Sequence, residues 1–366
     1  MFFEVVPPFL AALLFLTQLF FVARLLAQAD VIFGSGVRLV DVGRILLFVL
    51  PSMLSYGMPI AFLLGILIGL GRLGDDREIT ALAATGHGPQ ALLATPLLLG
   101  AVLTAVMLAI TTYVEPKGML NARLLTSEMI KRNLAGNVKP GVFYEDLSDL
   151  TLFAGEVDQK TGALRSVLVE DARDPKQPIL VLAPAGRLDA RGPGGALTLE
   201  LEGGELHRAQ PRTDDYAMAS FERARVAVVA GDEISRKNKM KRPGEHLTPP
   251  ELLADADYWT ARGKDVRDRY VEYHRRFAHP FVMLALSVVG VAVSGSASGR
   301  RKGGRAKAFA WTLGSVVAYF VLGKVFATLG SRGTLPAAIA AWAPVLLIAA
   351  MGVLLLEWKR RRGEAA

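Results

Sequence analysis

The chain has no cysteine in 366 residues, which excludes disulfides, thiolate metal sites and cysteine nucleophiles. Catalytic signatures are equally scarce. No Gly-x-x-x-x-Gly-Lys-Ser/Thr loop occurs, so nothing in the chain would cradle ATP phosphates in the Walker manner. There is no His-Glu-x-x-His pair, and Gly295-Ser296-Ala297-Ser298-Gly299 carries Ala297 where a nucleophile elbow needs serine. The histidines, His87, His207, His246, His274 and His279, are scattered, and the closest two stand at i,i+5, off a common helical face. No catalytic residue, metal ligand or cofactor is assigned on these grounds.

Charge is also nearly missing from six long stretches, 5–27, 45–70, 91–113, 277–297, 308–329 and 335–356. A bilayer core about 30 Å thick needs roughly 20 apolar residues in a helix, and each stretch meets that length. The 52% hydrophobic content and mean hydropathy of +0.34 agree. What charge there is gives +8 and a pI near 9.7, a balance that invites a nucleic-acid reading. The cations cluster at the ends of the apolar stretches, however, where anionic headgroups are the natural counterions.

The layout is three apolar stretches, a long polar segment, then three more. Lys and Arg collect on the cytoplasmic side of short loops. Arg300, Arg301, Lys302, Arg305 and Lys307 between stretches four and five, and Lys359 to Arg362 after the sixth, therefore face the cytoplasm. Both termini and the loop 72–88 follow, and the polar segment lies outside. The first stretch is too long for a signal h-region and is read as a retained span.

Within the polar segment, Met119, Leu120, Leu124, Leu125, Met129 and Leu134 predict a connecting amphipathic helix over 116–137. Strand patterns follow at 151–157, 166–170, 178–183 and 221–229. Leu197, Leu199 and Leu201 alternate with polar residues ahead of Gly203-Gly204, which predicts a hairpin turn there. The reading is a periplasmic all-β, jellyroll-like or small sandwich domain over 138–234, then a linker and helix over 235–270. The fold class is thus a polytopic α-helical membrane protein, with transmembrane helices 1–3 in residues 1–115 and helices 4–6 with a basic tail in 271–366.

Three local features bear on function. In the loop after the second span, Asp75 or Asp76 can cap a short helix over 76–86, Glu78 suits its positive end and Gly86 can stop it. Arg77, Glu78, Ile79 and Leu82 then present a charged and apolar surface, either a plain interfacial turn or a helix that couples to a cytoplasmic motor. Arg24 and Lys324 stand inside otherwise apolar spans near their outer ends. A charge deep in a bilayer costs about 2.5–3.5 kcal/mol, so each either snorkels to the interface or meets an anion in a cavity. Gly65 and Gly69 form a small-x-x-x-small pair suited to close helix packing, and Pro51 and Pro59 should bend the same span.

The chain resembles the lipopolysaccharide-export permeases LptF and LptG of Gram-negative bacteria. The resemblance rests on the three-plus-three layout, Leu70-Gly71-Arg72-Leu73, Glu78-Ile79-Thr80 followed by Gly86, and Glu272-Tyr273-His274-Arg275-Arg276-Phe277-Ala278-His279-Pro280 entering the fourth span. Glu-Ile-Thr leans toward LptF. The chain departs from the family's pattern at its start, where members carry a short basic amphipathic segment. The resemblance implies an inner-membrane permease subunit without ATP hydrolysis of its own. It implies pairing with the paralogous permease subunit, an LptB-type ATPase dimer that moves the pair, and an LptC-type bridge protein that receives lipopolysaccharide. It also gives Arg24 a contact with the phosphorylated part of the lipid and Glu78 a contact with the ATPase; Lys324 follows from depth alone. The rival readings are a non-transporting membrane scaffold, an ABC permease for another lipid or a lipoprotein, and an intramembrane enzyme. The four-span layout usual for lipoprotein permeases fits poorly, and no catalytic pair lies within the spans.

Overall fold

The structure is a computed structural model that describes residues 1–27, 38–76, 78, 81, 85, 92–137, 140–144, 150–158, 162–172, 178–189, 197–209, 216–229, 244–294 and 304–361. Arg77, Ile79, Leu82, the cations Arg300, Arg301, Lys302 and Arg362, and the linker over 235–243 lie outside the described residues. The described chain falls into two compact units: Met1–Ala27, Leu46–Leu120 and Arg242–Ala366 form the first, and Gln28–Ile45 with Asn121–Lys241 the second.

Among the described residues six helices are long and apolar enough to cross a membrane. Span 1 is α1 (Phe2–Ala27) and span 2 is α2 (Leu39–Asp75). Span 3 is α3 (Ala94–Ala109), which passes through a π turn at Ile110–Val114 into α4 (Glu115–Asn137). The connecting helix expected over 116–137 is therefore continuous with span 3. After α5 (Pro249–Thr260), span 4 is built from α6 (Arg267–Ala278), a 3₁₀ turn at His279–Phe281 and α7 (Val282–Ser294). Spans 5 and 6 are α8 (Gly304–Ser331) and α9 (Ala337–Arg361). The end where span 3 leaves and span 4 enters is the strand-side end; the opposite one is the loop-side end.

The spans differ in what surrounds them. Spans 2 and 4 have 67% and 78% of their apolar windows buried, against 11% for span 1 and 22% for span 5. Spans 2 and 4 are thus the core of the bundle, and spans 1, 3 and 5, the last two at 22% alike, offer most of their apolar surface to lipid or to another chain. On span 5 this surface includes an i,i+4 row, Phe309, Leu313, Val317, Val321 and Val325, with Trp311 beside it.

Span 1 packs on span 2 through the predicted small-residue pair, so that motif is spent inside the chain. Pro8 lacks an N–H and leaves the Glu4 carbonyl without its helical donor. That carbonyl faces Gly69, where an added Cβ would stand 2.8 Å away, and the Val5 carbonyl faces Gly65 at 2.9 Å. Such closeness admits only a hydrogen on the glycine. Gly69→Leu is therefore expected to wedge span 1 off span 2, at a cost of about 1–3 kcal/mol or more. The check is thermal stability in detergent, with a melting point equal to the parent's counting against the packing. At the loop-side end Lys359 of span 6 donates to the Ala292 carbonyl, placing a cation on the unsatisfied last turn of α7.

The second unit holds an antiparallel sheet in which β1 (Phe143–Tyr144), β2 (Leu150–Asp158), β3 (Ala163–Asp171), β4 (Ile179–Asp189), β5 (Leu197–Ala209) and β6 (Tyr216–Val229) lie side by side in chain order. Alternation places Leu150, Leu152, Ala154, Leu164, Val181, Leu199 and Leu201 in one buried cluster. Charges pair across the outward positions, as where Arg225 Nε lies 2.8 Å from Glu200 Oε1 on directly opposed residues. The turn expected at Gly203-Gly204 is not there. β5 runs straight through, Gly203 takes a positive φ of 57°, and the ladder to β6 passes from Glu202↔Arg223 to Gly204↔Phe221. A Cβ on Gly204 would meet the Leu182 carbonyl oxygen at 2.5 Å. The two glycines serve a kink and a close strand approach within one long strand.

Candidate functional site

Two of the spans that form the core contain prolines, and their missing N–H groups organise the strand-side end. Pro59 deprives the Ser55 carbonyl of its i+4 donor in span 2, and Pro280 does the same to Arg276 in span 4. A carbonyl left bare in a membrane must find a donor elsewhere. Both do, from another span. His279 Nε2 lies 3.0 Å from the Ser55 carbonyl oxygen, and Thr111 Oγ1 donates to the Arg276 carbonyl at 2.9 Å. Thr111 belongs to the π turn of span 3, the irregularity that rotates its hydroxyl onto the 3₁₀ break of span 4.

A carbonyl only accepts, so His279 Nε2 carries the proton and Nδ1 accepts from the Tyr319 hydroxyl of span 5. The two rings stack with centroids 5.6 Å apart, and Tyr56 and Phe320 flank them. On the other side of span 2, Ser55 Oγ donates to Glu115 Oε2 at 2.7 Å; Glu115 is buried at the start of α4.

One turn toward the strand-side end, Glu272 and Arg276 are both 3% exposed, a depth at which an unpaired charge is costly. Glu272 takes a two-pronged contact from Arg275, at 2.8 and 2.7 Å, and a third from Arg276 Nε at 3.2 Å. The rest of the Arg276 guanidinium spreads over the returning chain, donating to the carbonyls of Gly244 at 2.9 Å, Glu245 at 3.2 Å and Leu247. Next along the chain, α5 starts with Thr248, whose N–H donates to the Glu251 carboxylate at 2.7 Å. That hydrogen bond holds the Glu251 carboxyl below the usual glutamate range. Beyond α5, Arg262 lies over the Tyr258 ring at 3.5 Å and Lys264 over Trp259 at 4.0 Å, aromatic and cationic pairs at the entry to span 4.

The residues singled out from sequence fall in three places. Arg24 sits in the last turn of α1, half-buried, and its Nε is buried without a hydrogen-bond partner among the described residues. Lys324 is exposed on span 5, seven residues before the end of α8. Both are toward the strand-side end, and no described contact joins them. Glu78 is helical and exposed in the loop after span 2, as is Ala81, and the Thr85 N–H bonds the Ala81 carbonyl at 3.2 Å. Asp75 is the last residue of α2, and the Asp76 N–H still bonds the Arg72 carbonyl at 3.0 Å. Helical bonding simply continues past the apolar run, since Gly71 and Gly74 weaken a helix without breaking it.

Sequence reasoning quoted Glu272 to Pro280 as a pattern but gave it no task, and passed over Ser55, Glu115 and Tyr319. The legible signal was the proline spacing: each bare carbonyl lies four residues before a proline. His274 and His279 indeed part company, His274 meeting Tyr273 edge-on at 5.3 Å while His279 turns into the bundle.

No curated protein matches the chain. The family model described as lipopolysaccharide export system permease LptF/LptG matches residues 1–358. With that match over nearly the whole length, six helices able to span a membrane and a β sheet between the third and fourth, the chain belongs to the LptF/LptG family of lipopolysaccharide export permeases, multi-pass proteins of the inner membrane.

Proposed function

We propose that the chain is the permease subunit of an ATP-driven machine that extracts lipopolysaccharide from the inner membrane. It pairs with a paralogous permease chain, is moved by a separate LptB-type ATPase, and delivers lipid through its β domain, over 138–234, to an LptC-type bridge on the periplasmic side. Both termini then lie in the cytoplasm. Spans 1 and 5, each largely unburied along its apolar window, form the walls that face the second permease chain across the lipid's cavity. Arg24 and Lys324 bind the phosphorylated part of the lipid, and the helix over 76–86, with Arg77, Glu78, Ile79 and Leu82, docks on the ATPase.

The observation that carries this reading is the Arg24 guanidinium. A buried donor left unsatisfied costs about 1–3 kcal/mol, a penalty that an anionic ligand would cancel.

Arg24→Glu turns attraction to a phosphate into repulsion and is expected to reduce lipopolysaccharide export by at least tenfold, with Lys324→Glu milder because that side chain is exposed. A photoactivatable residue at position 24 should crosslink lipopolysaccharide in cells. Labelling of bulk phospholipid alone, together with normal export by Arg24→Glu, would return the arginine to an interfacial anchor.

A further inference from the structure

Span 5 is held unevenly. From its loop-side end it buries Ala308, Thr312, Ser315, Val316 and Tyr319, a stripe along about three turns of the helix. Past Tyr319, the next buried residue of the helix is Gly330. The strand-side half of span 5, which includes Lys324, therefore leans on the bundle without a fully buried side chain of its own for nearly three turns. Between Tyr319 and Gly330, which packs closely on Val271 of span 4 and Ala340 of span 6, the helix has no buried residue, and the Tyr319 hydroxyl at the near end of that gap is given to His279.

His279 in turn is placed by span 2. Its Nε2–H is committed to the carbonyl that Pro59 bares, which selects the tautomer whose Nδ1 can accept from tyrosine. The ring thus joins the turn of span 2 before Pro59, the 3₁₀ break of span 4 and the middle of span 5 at one point. The Phe320 ring of span 5 lies 6.5 Å from it, centroid to centroid. A change in span 2 that moves the Ser55 carbonyl would alter the ring's proton placement or its position, and so its grip on Tyr319.

We propose that His279 is a positioning residue for transport: its hydrogen bonds to the Ser55 carbonyl and the Tyr319 hydroxyl form a latch that fixes the strand-side half of span 5 and releases it when span 2 flexes. The inference deepens, and rests on, the reading of span 5 as a cavity wall. The latch itself is a property of this chain and can be read without lipopolysaccharide.

The absence of native cysteine makes the measurement direct. Nitroxides are attached at Leu47→Cys on span 2 and Val325→Cys on span 5, both exposed, and the distance distribution is recorded by pulsed EPR on the full chain with its co-purifying partners in nanodiscs free of lipopolysaccharide. Tyr319→Phe keeps the ring volume and removes one hydroxyl. It is expected to raise the population of a second, displaced distance by about tenfold, the weight of one net buried hydrogen bond. Phe320→Leu, which trims the adjoining ring and spares the polar pair, should leave the distribution as in the parent. An unchanged distribution in Tyr319→Phe overturns the latch, as does equal broadening in both variants, which would make the contact ordinary packing. A positive distance result with export insensitive to Arg24→Glu would keep the latch while sinking the cavity reading.

Discussion

Arg276→Leu is expected to destabilise the membrane unit by about 3 kcal/mol, the lower end of the range for breaking a buried ion pair. The lower end applies because Glu272 keeps its two contacts from Arg275, at 2.8 and 2.7 Å. What is lost is the third contact to Glu272 and all three donors to the Gly244, Glu245 and Leu247 carbonyls. The Glu115 carboxylate, which also attracts Arg276, loses a counter-charge as well. Arg276→Lys restores the charge but has no fork to span several carbonyls, so it should recover only part of the loss. Melting followed by size-exclusion chromatography in detergent reads both variants. A parent-like melting point for Arg276→Leu would mean that water or rearranged backbone already satisfies these groups, and the brace would lose its stabilising role.

Glu78→Lys is expected to strip the ATPase from the purified complex, or to abolish export, while the chain still inserts normally. Glu78 is exposed and helical in the loop after span 2. A carboxylate at the N-terminal end of a helix is favoured there and can meet a basic residue on a motor. Truncating one partner of a buried interfacial charge pair costs about 2–5 kcal/mol, roughly 30-fold to several thousandfold in affinity. Reversing the charge adds repulsion. Retention of the ATPase together with normal export in this variant would reduce the helix to an interfacial turn, and the coupling proposal would be withdrawn.

The two variants probe opposite ends of the spans and opposite degrees of legibility. Glu78 could be named from the chain because its argument is local: an exposed acidic residue after a pair of aspartates, in a loop bounded by glycine. Arg276 could only be quoted as part of a pattern. Its partners at 244–247 come about 30 positions earlier, and nothing in that stretch announces three carbonyls in need of a donor.

The same contrast runs through the fold. Six spans follow from length and polarity alone, since a bilayer sets how many apolar residues a helix needs whatever its neighbours are. The packing of Gly65 and Gly69 against another helix was likewise readable, though not that the other helix is span 1 and that Pro8 bares the carbonyl they approach. Gly203-Gly204 misled because a turn and a kink within a strand ask for the same backbone freedom. Which one forms depends on whether partner strands lie alongside on both edges, and β4 and β6 both do. Proline spacing in the chain marks Ser55 and Arg276 as carbonyls that need donors, because the proline ring removes an N–H at a known distance along the helix. That His279 supplies one of them from 224 positions away, and holds Tyr319 with its other nitrogen, was decided only when the spans packed, since hydrogen bonds between helices depend on where their faces meet and not on order along the chain.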